Sequence, residues 1–121
     1  MSVSILIVES HEDGATSQAE LYRLWGYDVR VASCASEALR SEATPDIVVL
    51  ELKLPDLDGC ELTRRMKSNG NGKCPRFIAL TTSVFDDDRR RAAEAGIEVY
   101  LIKPINPFDM YDALNKLAAP R

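Results

Sequence analysis

Positive charge, histidine, cysteine and long apolar runs are all scarce in this chain of 121 residues. Lysine and arginine number 15 against 19 acidic residues, and the net charge is -4. Nucleic-acid binding needs a basic face, so we do not expect it of this domain. No apolar stretch approaches the roughly 18 residues of a membrane span. The first four residues show no basic or long apolar signal segment, so we expect a cytoplasmic protein without a membrane anchor.

Two further absences restrict the chemistry. The cysteines Cys34, Cys60 and Cys74 are odd in number and lack metal-ligand spacing. We therefore expect free thiols in a reducing compartment. No glycine-rich phosphate loop follows the first apolar run, where residues 9–13 are largely acidic and would repel phosphate. A small flavodoxin-like enzyme or nucleotide binder is therefore a disfavoured alternative.

Short apolar runs alternate with helical patterns along the whole chain. We predict strands at Ser4–Val8, Val29–Val31, Ile47–Leu50, Phe77–Leu80 and Val99–Ile102. We predict helices from Asp13 or a neighbour to Trp25, Ala35 to Glu42, Asp58 to Ser68, Asp86 to Ala95 and Pro107 to about Leu117. Leu21, Leu24 and Trp25 are the clearest apolar positions of the first helix, and a glycine-rich turn at 69–72 ends the third. The alternation predicts a single α/β domain over residues 1–121, with a parallel sheet and helices on both faces.

Polar side chains follow the strands of the predicted sheet. In open α/β sheets, binding sites lie beyond the carboxyl ends of the strands. The residues at these ends are Glu9 and Ser10, Glu51, Thr81 and Thr82, and Lys103. Carboxylates, hydroxyls and an ammonium that converge on one crevice suit a phosphoryl group or a divalent cation.

These residues stand in a recognisable order. An apolar strand ends in an acid at Glu9, and Glu51 is followed by Pro55, Asp58 and Gly59. Ala79-Leu80-Thr81, Ala95-Gly96 and the run from Tyr100 to Pro104 complete the pattern. Over essentially all of its length, the chain resembles the receiver domain of two-component response regulators.

The resemblance implies a flavodoxin-like (βα)5 fold with strand order 2-1-3-4-5. It also implies phosphoryl transfer from a histidine kinase to an aspartate after the third strand, with Mg²⁺ held by an acidic pair, that aspartate and a backbone carbonyl. By this resemblance, Thr81 supplies the phosphate-binding hydroxyl, Lys103 the lysine and Tyr100 the aromatic switch. The backbone of Lys53 supplies the carbonyl, and the Lys103–Pro104 peptide is expected to be cis.

Three positions depart from the family pattern. Glu51 stands where the phosphoacceptor aspartate is expected, Ser10 replaces the second acid of the pair, and Thr82 replaces a small residue. One extra methylene moves the carboxylate by roughly 1.5 Å, and about 1 Å of misplacement can cost 100-fold in rate. Ser10 is a neutral ligand, and Mg²⁺ demands near-ideal octahedral oxygen geometry. We therefore expect Mg²⁺ binding to be very weak or lost, with no cofactor.

Several residues allow two interpretations. Glu51 can mimic a phosphorylated aspartate, or it can simply pair with Lys103. Tyr100 can switch rotamer or be a fixed packing residue. His11 can carry a phosphoryl group, although a solvated loop residue is the simpler interpretation. The charged segment Asp86–Arg91 can bind a partner, or it can be a capped helix with a solvated face.

The sequence thus predicts an atypical, non-enzymatic receiver domain that acts by protein–protein interaction without phosphorylation. A receiver that is still weakly phosphorylated is the alternative. Partners are expected to be a histidine kinase, an output domain or a second copy, bound through the fourth helix, fifth strand and fifth helix. The charged residues of that face are Arg90, Arg91, Asp109, Asp112 and Lys116. We also predict that Lys103, after the fifth strand, forms an ion pair with Glu51, after the third strand. This ion pair would take the place of metal and phosphate.

Overall fold

A computed structural model of the protein describes residues 2–41, 43–69 and 72–119. Within these residues, five strands alternate with five helices. The strands are β1 (Ser4–Val8), β2 (Asp28–Ala32), β3 (Ile47–Leu50), β4 (Arg76–Thr81) and β5 (Val99–Ile102). The helices are α1 (Glu12–Leu24), α2 (Ala35–Leu39), α3 (Gly59–Ser68), α4 (Asp86–Ala95) and α5 (Pro107–Ala118). No helix in the described part of the chain is long and apolar enough to cross a membrane.

The five strands form one parallel sheet in the order β2-β1-β3-β4-β5, which confirms the predicted architecture. All four residues of β3 are buried because helices cover both faces of the sheet. The register aligns the strand ends: Val8 lies beside Leu50, and Leu50 lies beside Ala79. Residues that follow β1, β3, β4 and β5 therefore emerge at the same edge of the sheet.

Two apolar layers sandwich the sheet. One layer lies on the side of α2, α3 and α4 and includes Phe77 and Leu62. The other lies on the side of α1 and α5 and includes Tyr22 and Leu114. Alternate residues along each strand point into opposite layers, which is why strands with continuous apolar sequence are needed here.

Helix α1 differs from the sequence-based prediction in its buried face. Ala15, Ala19 and Tyr22 are buried, whereas Leu24 is 83% exposed. The buried positions follow the helical spacing of four and three residues, and small alanines let the helix lie close to the sheet. His11 rather than Asp13 occupies the N-cap position, without a side-chain cap bond, and Glu12 and Asp13 complement the helix dipole in the first turn.

Helix α2 is shorter than predicted. It ends at Leu39, and Glu42, where the predicted helix ends, lies outside the described residues. The Ser41 hydroxyl donates to the backbone oxygen of Ala43 at 3.2 Å and accepts from the Arg30 guanidinium at 2.6 Å. The prediction for the turn after α3 covers Gly70 and Asn71, which are also outside the described residues.

The loop between β3 and α3 is fixed by its own carboxylates. Asp58 is the N-cap of α3 and accepts a hydrogen bond from the backbone of Cys60. Asp56 accepts from the backbone N–H groups of Ala35 and Ser36 at 2.9 Å, and so it caps α2 from a different part of the chain. Gly59 lies against the backbone of the residues that follow β3, since its N–H donates to the oxygen of Leu52 at 2.8 Å.

A substitution of Gly59 tests this close approach. A Cβ atom at Gly59 would lie 2.7 Å from the backbone oxygen of Glu51 and 2.8 Å from the Cα of Leu52. Because backbone atoms cannot yield as a side chain can, we expect Gly59→Ala to lower the free energy of unfolding by about 1–3 kcal/mol in urea denaturation.

Gly14→Ala is the matched control. Gly14 lies inside α1 with nothing within 4 Å of the added carbon. Replacement by alanine there is expected to stabilise the fold by about 0.5–1 kcal/mol. Equal stability of the two variants would contradict the steric explanation for Gly59.

Candidate functional site

The ends of four strands bring the predicted site residues to one edge of the sheet. Glu9 follows β1, Glu51 follows β3, Thr81 ends β4 and Lys103 follows β5. Glu9, Glu51 and Thr81 are buried, with relative exposures of 3%, 9% and 0%. Buried carboxylates require charged or hydrogen-bonding partners, and Lys103 is the cation that the fold delivers to them.

The Lys103 ammonium joins the two carboxylates. Its Nζ lies 3.2 Å from Oε1 of Glu51, the contact that the sequence predicts, and 2.5 Å from Oε1 of Glu9. Burial by itself would lower the pKa of Lys103, but the hydrogen bond and charge of Glu9, with those of Glu51, raise it overall. One cation thus offsets two acids that would otherwise repel each other. The Lys103–Pro104 peptide is cis, as the resemblance implies.

Both carboxylate oxygens of Glu51 accept hydrogen bonds. Oε2 accepts from the backbone N–H groups of Leu52 at 2.7 Å and Lys53 at 3.2 Å, while Oε1 faces Lys103. Burial tends to raise the pKa of Glu51, but hydrogen bonds from the Thr81 hydroxyl and the Lys53 backbone and the charge of Lys103 lower it overall. The side chain is therefore ionised and held by donors on several sides.

Ser10 and Thr82 lie at the exposed rim of the site. Ser10 lines a groove beside Glu12 and Ala15, and Thr82 lines a second groove beside His11 and Pro104. His11 is exposed, and its backbone N–H donates to Oε2 of Glu9 at 3.3 Å. His11 and Thr82 share their groove with Glu9 and Lys103, and Ser10 shares the other groove with Glu9.

The donor set does not fit Mg²⁺ well. In residues 2–41, 43–69 and 72–119, no three side chains among histidine, cysteine, aspartate and glutamate converge as metal ligands. Glu9 and Glu51 are both engaged by the Lys103 ammonium, and the third side chain of the predicted set is the neutral hydroxyl of Ser10. Since Mg²⁺ takes carboxylate oxygens in near-ideal octahedral geometry, it would have to displace that ammonium.

Tyr100 is held inward beside the site. Its hydroxyl donates to the backbone oxygen of Ser83 at 3.0 Å, and the Arg89 guanidinium lies 4.6 Å from the centroid of its ring. Ser83 is itself buried, and its hydroxyl donates to Asp88 at 2.5 Å. Neither Ser83 nor Arg89 was identified from the sequence. The available signal was local: Ser83 lies two residues after Thr81, at the start of the loop into α4.

The carboxylates and the ammonium should be energetically coupled. Removal of Lys103 leaves Glu9 and Glu51 buried and unpaired, so we expect Lys103→Ala to destabilise the fold at neutral pH by about 3 kcal/mol. Glu51→Gln in that background should recover part of the loss, as should Glu9→Gln. Urea denaturation of both double-mutant cycles measures this. Additive effects would show that Lys103 is not coupled to that carboxylate.

The pH dependence of that loss follows from the two pKa shifts. Because the folded-state pKa of Glu51 is lowered, its contribution is present above the unfolded pKa of about 4.3 and is lost as pH falls through the folded value. Because that of Lys103 is raised, its contribution is present below about 10.4 and is lost as pH rises through the folded value. The destabilisation of Lys103→Ala should therefore be largest near neutral pH and shrink under acid conditions.

Comparisons with known proteins agree with the geometry of the fold. The sequence profile described as "Response regulator receiver domain" matches residues 5–115. The transcriptional regulatory protein PrrA of Mycobacterium tuberculosis is 35% identical over 105 residues, which cover 85% of this chain but 44% of PrrA. The chain thus spans less than half the length of that relative.

Two further relatives match over most of their own length. The polar-differentiation response regulator DivK of Brucella abortus is 30% identical over 108 residues, or 88% of each chain. The receiver domain of a sensor histidine kinase from Pseudomonas aeruginosa, solved with a magnesium ion in its active-site cleft, has a TM-score of 0.87 and 29% identity, and the match covers 98% of this chain and 100% of that one. The chain therefore belongs to the response regulator receiver domain family, whose members are signalling domains of two-component systems that interact with histidine kinases and output domains.

Proposed function

We propose that this receiver domain signals through protein–protein interaction without being phosphorylated. One observation carries the proposal: the Lys103 ammonium bridges Glu9 and Glu51 at 2.5 and 3.2 Å, in the crevice where metal and phosphoryl group would have to enter. Glu51 occupies the position that the resemblance assigns to the phosphoacceptor aspartate. The site is thereby a degenerate one, in which an internal ion pair replaces the external ligands.

The contacts of Glu51 oppose phosphoryl transfer. An attacking oxygen must be free and aligned with the phosphorus, whereas both oxygens of Glu51 accept hydrogen bonds from the protein. Glu51 contacts the Lys103 ammonium, and the Thr81 hydroxyl helps to lower the pKa of Glu51. The resemblance assigns both of these groups to phosphoryl oxygens. The Glu51 carboxylate thus faces the donors that would otherwise bind a phosphoryl group. A carboxylate carries one charge and two oxygens, whereas a phosphoryl group carries nearly two charges and three oxygens.

Weak phosphorylation is the second candidate function. Thr81 and Lys103 are both present, and Lys103 retains 24% exposure of its side chain, so a small donor can approach it. The relative solved with magnesium shows that a receiver of this fold can hold the ion. The two proposals differ in whether Glu51, or any other residue, becomes modified.

A protein partner is the expected target. The face of α4, β5 and α5 carries exposed charges of both signs, with Arg90 on α4 and Asp109, Asp112 and Lys116 on α5. Two copies related by a twofold axis can bring α4 of one against α5 of the other. A cytoplasmic histidine kinase or an output domain is the alternative partner. Arg91 fits this face less well than its sequence position suggests, because its guanidinium contacts Asp58 and Asp88.

Labelling with a small phosphodonor tests the central proposal. We expect no mass increase after incubation of the protein with acetyl phosphate and Mg²⁺, because Glu51 is engaged by Lys103 and backbone donors. Titration with Mg²⁺ followed by NMR should show no saturable site at millimolar concentration. Trp25 fluorescence would be a poor readout. Trp25 stacks with Tyr22 at the C-terminal end of α1, whereas Glu9 precedes the N-terminal end of that helix.

A repaired site supplies the positive control. The triple variant Ser10→Asp, Glu51→Asp and Thr82→Ala should bind Mg²⁺ and take up a phosphoryl group of about 80 Da, because each change restores a family residue. The proposal fails if the unaltered protein gains that mass or shows a clear millimolar Mg²⁺ site. If the folded triple variant never labels, the defect lies outside these three positions.

Charge reversal tests the interaction face. If two copies associate through α4 and α5, Arg90→Glu should weaken association by about tenfold, equivalent to about 1.4 kcal/mol. Combination with Asp112→Lys should recover much of the affinity, which analytical ultracentrifugation can measure. Lys73→Glu, in the segment before β4, is the control variant. Association that is the same in all these variants would place the contact on another face.

A further inference from the structure

Two loops carry the site, and the structure connects them through a residue outside it. One is the segment 52–58 after β3, and the other is the segment 82–85 after β4. Glu51 precedes the first loop and Thr81 precedes the second. A receiver that uses metal and phosphate can connect these loops through those ligands. Here, side chains of the chain itself make the connection.

The connection starts at the loop after β4. The Ser83 backbone N–H donates to Oγ1 of Thr81 at 3.3 Å, and the Ser83 hydroxyl donates to Oδ2 of Asp88 at 2.5 Å. The other oxygen of Asp88 lies 3.3 Å from Nη1 of Arg91, one turn further along α4. The first turn of α4 is thus joined to Thr81, whose hydroxyl helps to lower the pKa of Glu51.

Arg91 crosses from α4 to the loop after β3. Its Nη2 lies 2.9 Å from Oδ2 of Asp58, whose other oxygen accepts from the Cys60 backbone at the start of α3. Asp58 also forms an isolated antiparallel bridge with Lys53. The Lys53 N–H donates to Oε2 of Glu51 at 3.2 Å, so the contacts lead from Thr81 through Arg91 to Glu51.

We propose that Arg91 is a positioning residue that clasps the two loops and thereby holds Glu51 and the start of α4 in one arrangement. The clasp is the series of contacts that runs from Thr81 through Ser83, Asp88, Arg91, Asp58 and Lys53 to Glu51. The proposal deepens the proposed function and rests on it, since the clasp supplies the loop connection that metal and phosphate would otherwise make.

The geometry suits arginine in particular. The planar guanidinium donates through Nη1 to Asp88 and through Nη2 to Asp58, so one side chain engages two carboxylates on different elements. Both carboxylates have further hydrogen bonds, from Ser83 and Cys60, that fix their orientation. Tyr100 adds a contact from β5, since its hydroxyl donates to the Ser83 backbone. The clasp therefore also affects the α4–β5 surface.

Arg90 provides a matched control on the same helix. It forms an ion pair with Asp87 within α4, and both side chains are largely exposed. Replacement of either arginine by alanine removes one positive charge and one intrahelical pair. Only Arg91→Ala also cuts the contact between α4 and the loop after β3.

Amide hydrogen exchange, measured by NMR without Mg²⁺ or phosphodonor, tests the clasp. In Arg91→Ala we expect the Leu52, Lys53 and Ser83 amides to exchange about tenfold faster, because local opening of both loops becomes easier. Arg90→Ala should leave these rates unchanged. Arg91→Lys keeps the charge but loses the two-nitrogen fork, and it should give an intermediate increase.

For Arg91→Ala, two outcomes would overturn the clasp. One is equal exchange at Leu52 and Lys53 in Arg91→Ala and Arg90→Ala, and the other is faster exchange confined to α4. If Arg91→Ala does not fold, unchanged exchange in Arg91→Lys would also overturn it. Acetyl phosphate labelling of the unaltered protein separates the two proposals: labelling refutes the proposed function, whereas exchange rates indifferent to Arg91 refute the clasp.

Discussion

The contact of one ammonium with two buried carboxylates is the constraint on which the site depends. Glu9 and Glu51 are 3% and 9% exposed, and such groups cannot remain ionised in a protein interior without partners. Lys103 removes the repulsion between them and orients both. A buried pair gains little net stability over apolar packing, so the proposed effect of this contact is on which species can occupy the crevice. An anion meets two carboxylates there, and a cation meets an ammonium.

The backbone around Glu51 completes this arrangement. Leu52 and Lys53 direct their N–H groups at the Glu51 carboxylate, and the loop beyond them is held by several contacts. Gly59 permits the close approach of backbone to backbone, Asp56 caps α2, and Asp58 meets Arg91 of α4. The loop that follows Glu51 thus contacts α2, α3 and α4.

The fold was largely predictable because its signals are local. Continuous apolar runs such as Ile47–Leu50 indicate strands covered on both faces, and each is followed by a polar turn and a helical pattern. The prediction for α1 failed because a large apolar side chain was assumed to be buried. Leu24 looks like a core residue, but Ala15 and Ala19 face the sheet because a helix that lies close to strands needs small side chains. The end of α2 was misplaced because Ser41 bonds to residues that the helical pattern does not reveal.

For the site, the sequence by itself determined the inventory: which residues follow the strands, that Glu51 stands after β3, and that Lys103 is the nearest cation for it. Parallel strands with aligned ends make such residues neighbours, so the Glu51–Lys103 contact could be inferred. Only the tertiary structure decided which of these side chains contact one another. The contact of Glu9 with Lys103, the inward position of Tyr100 and the bridge from Arg91 to Asp58 each join distant parts of the chain. Their distances depend on how far helices and loops pack from the sheet, and no local pattern in the sequence specifies that packing.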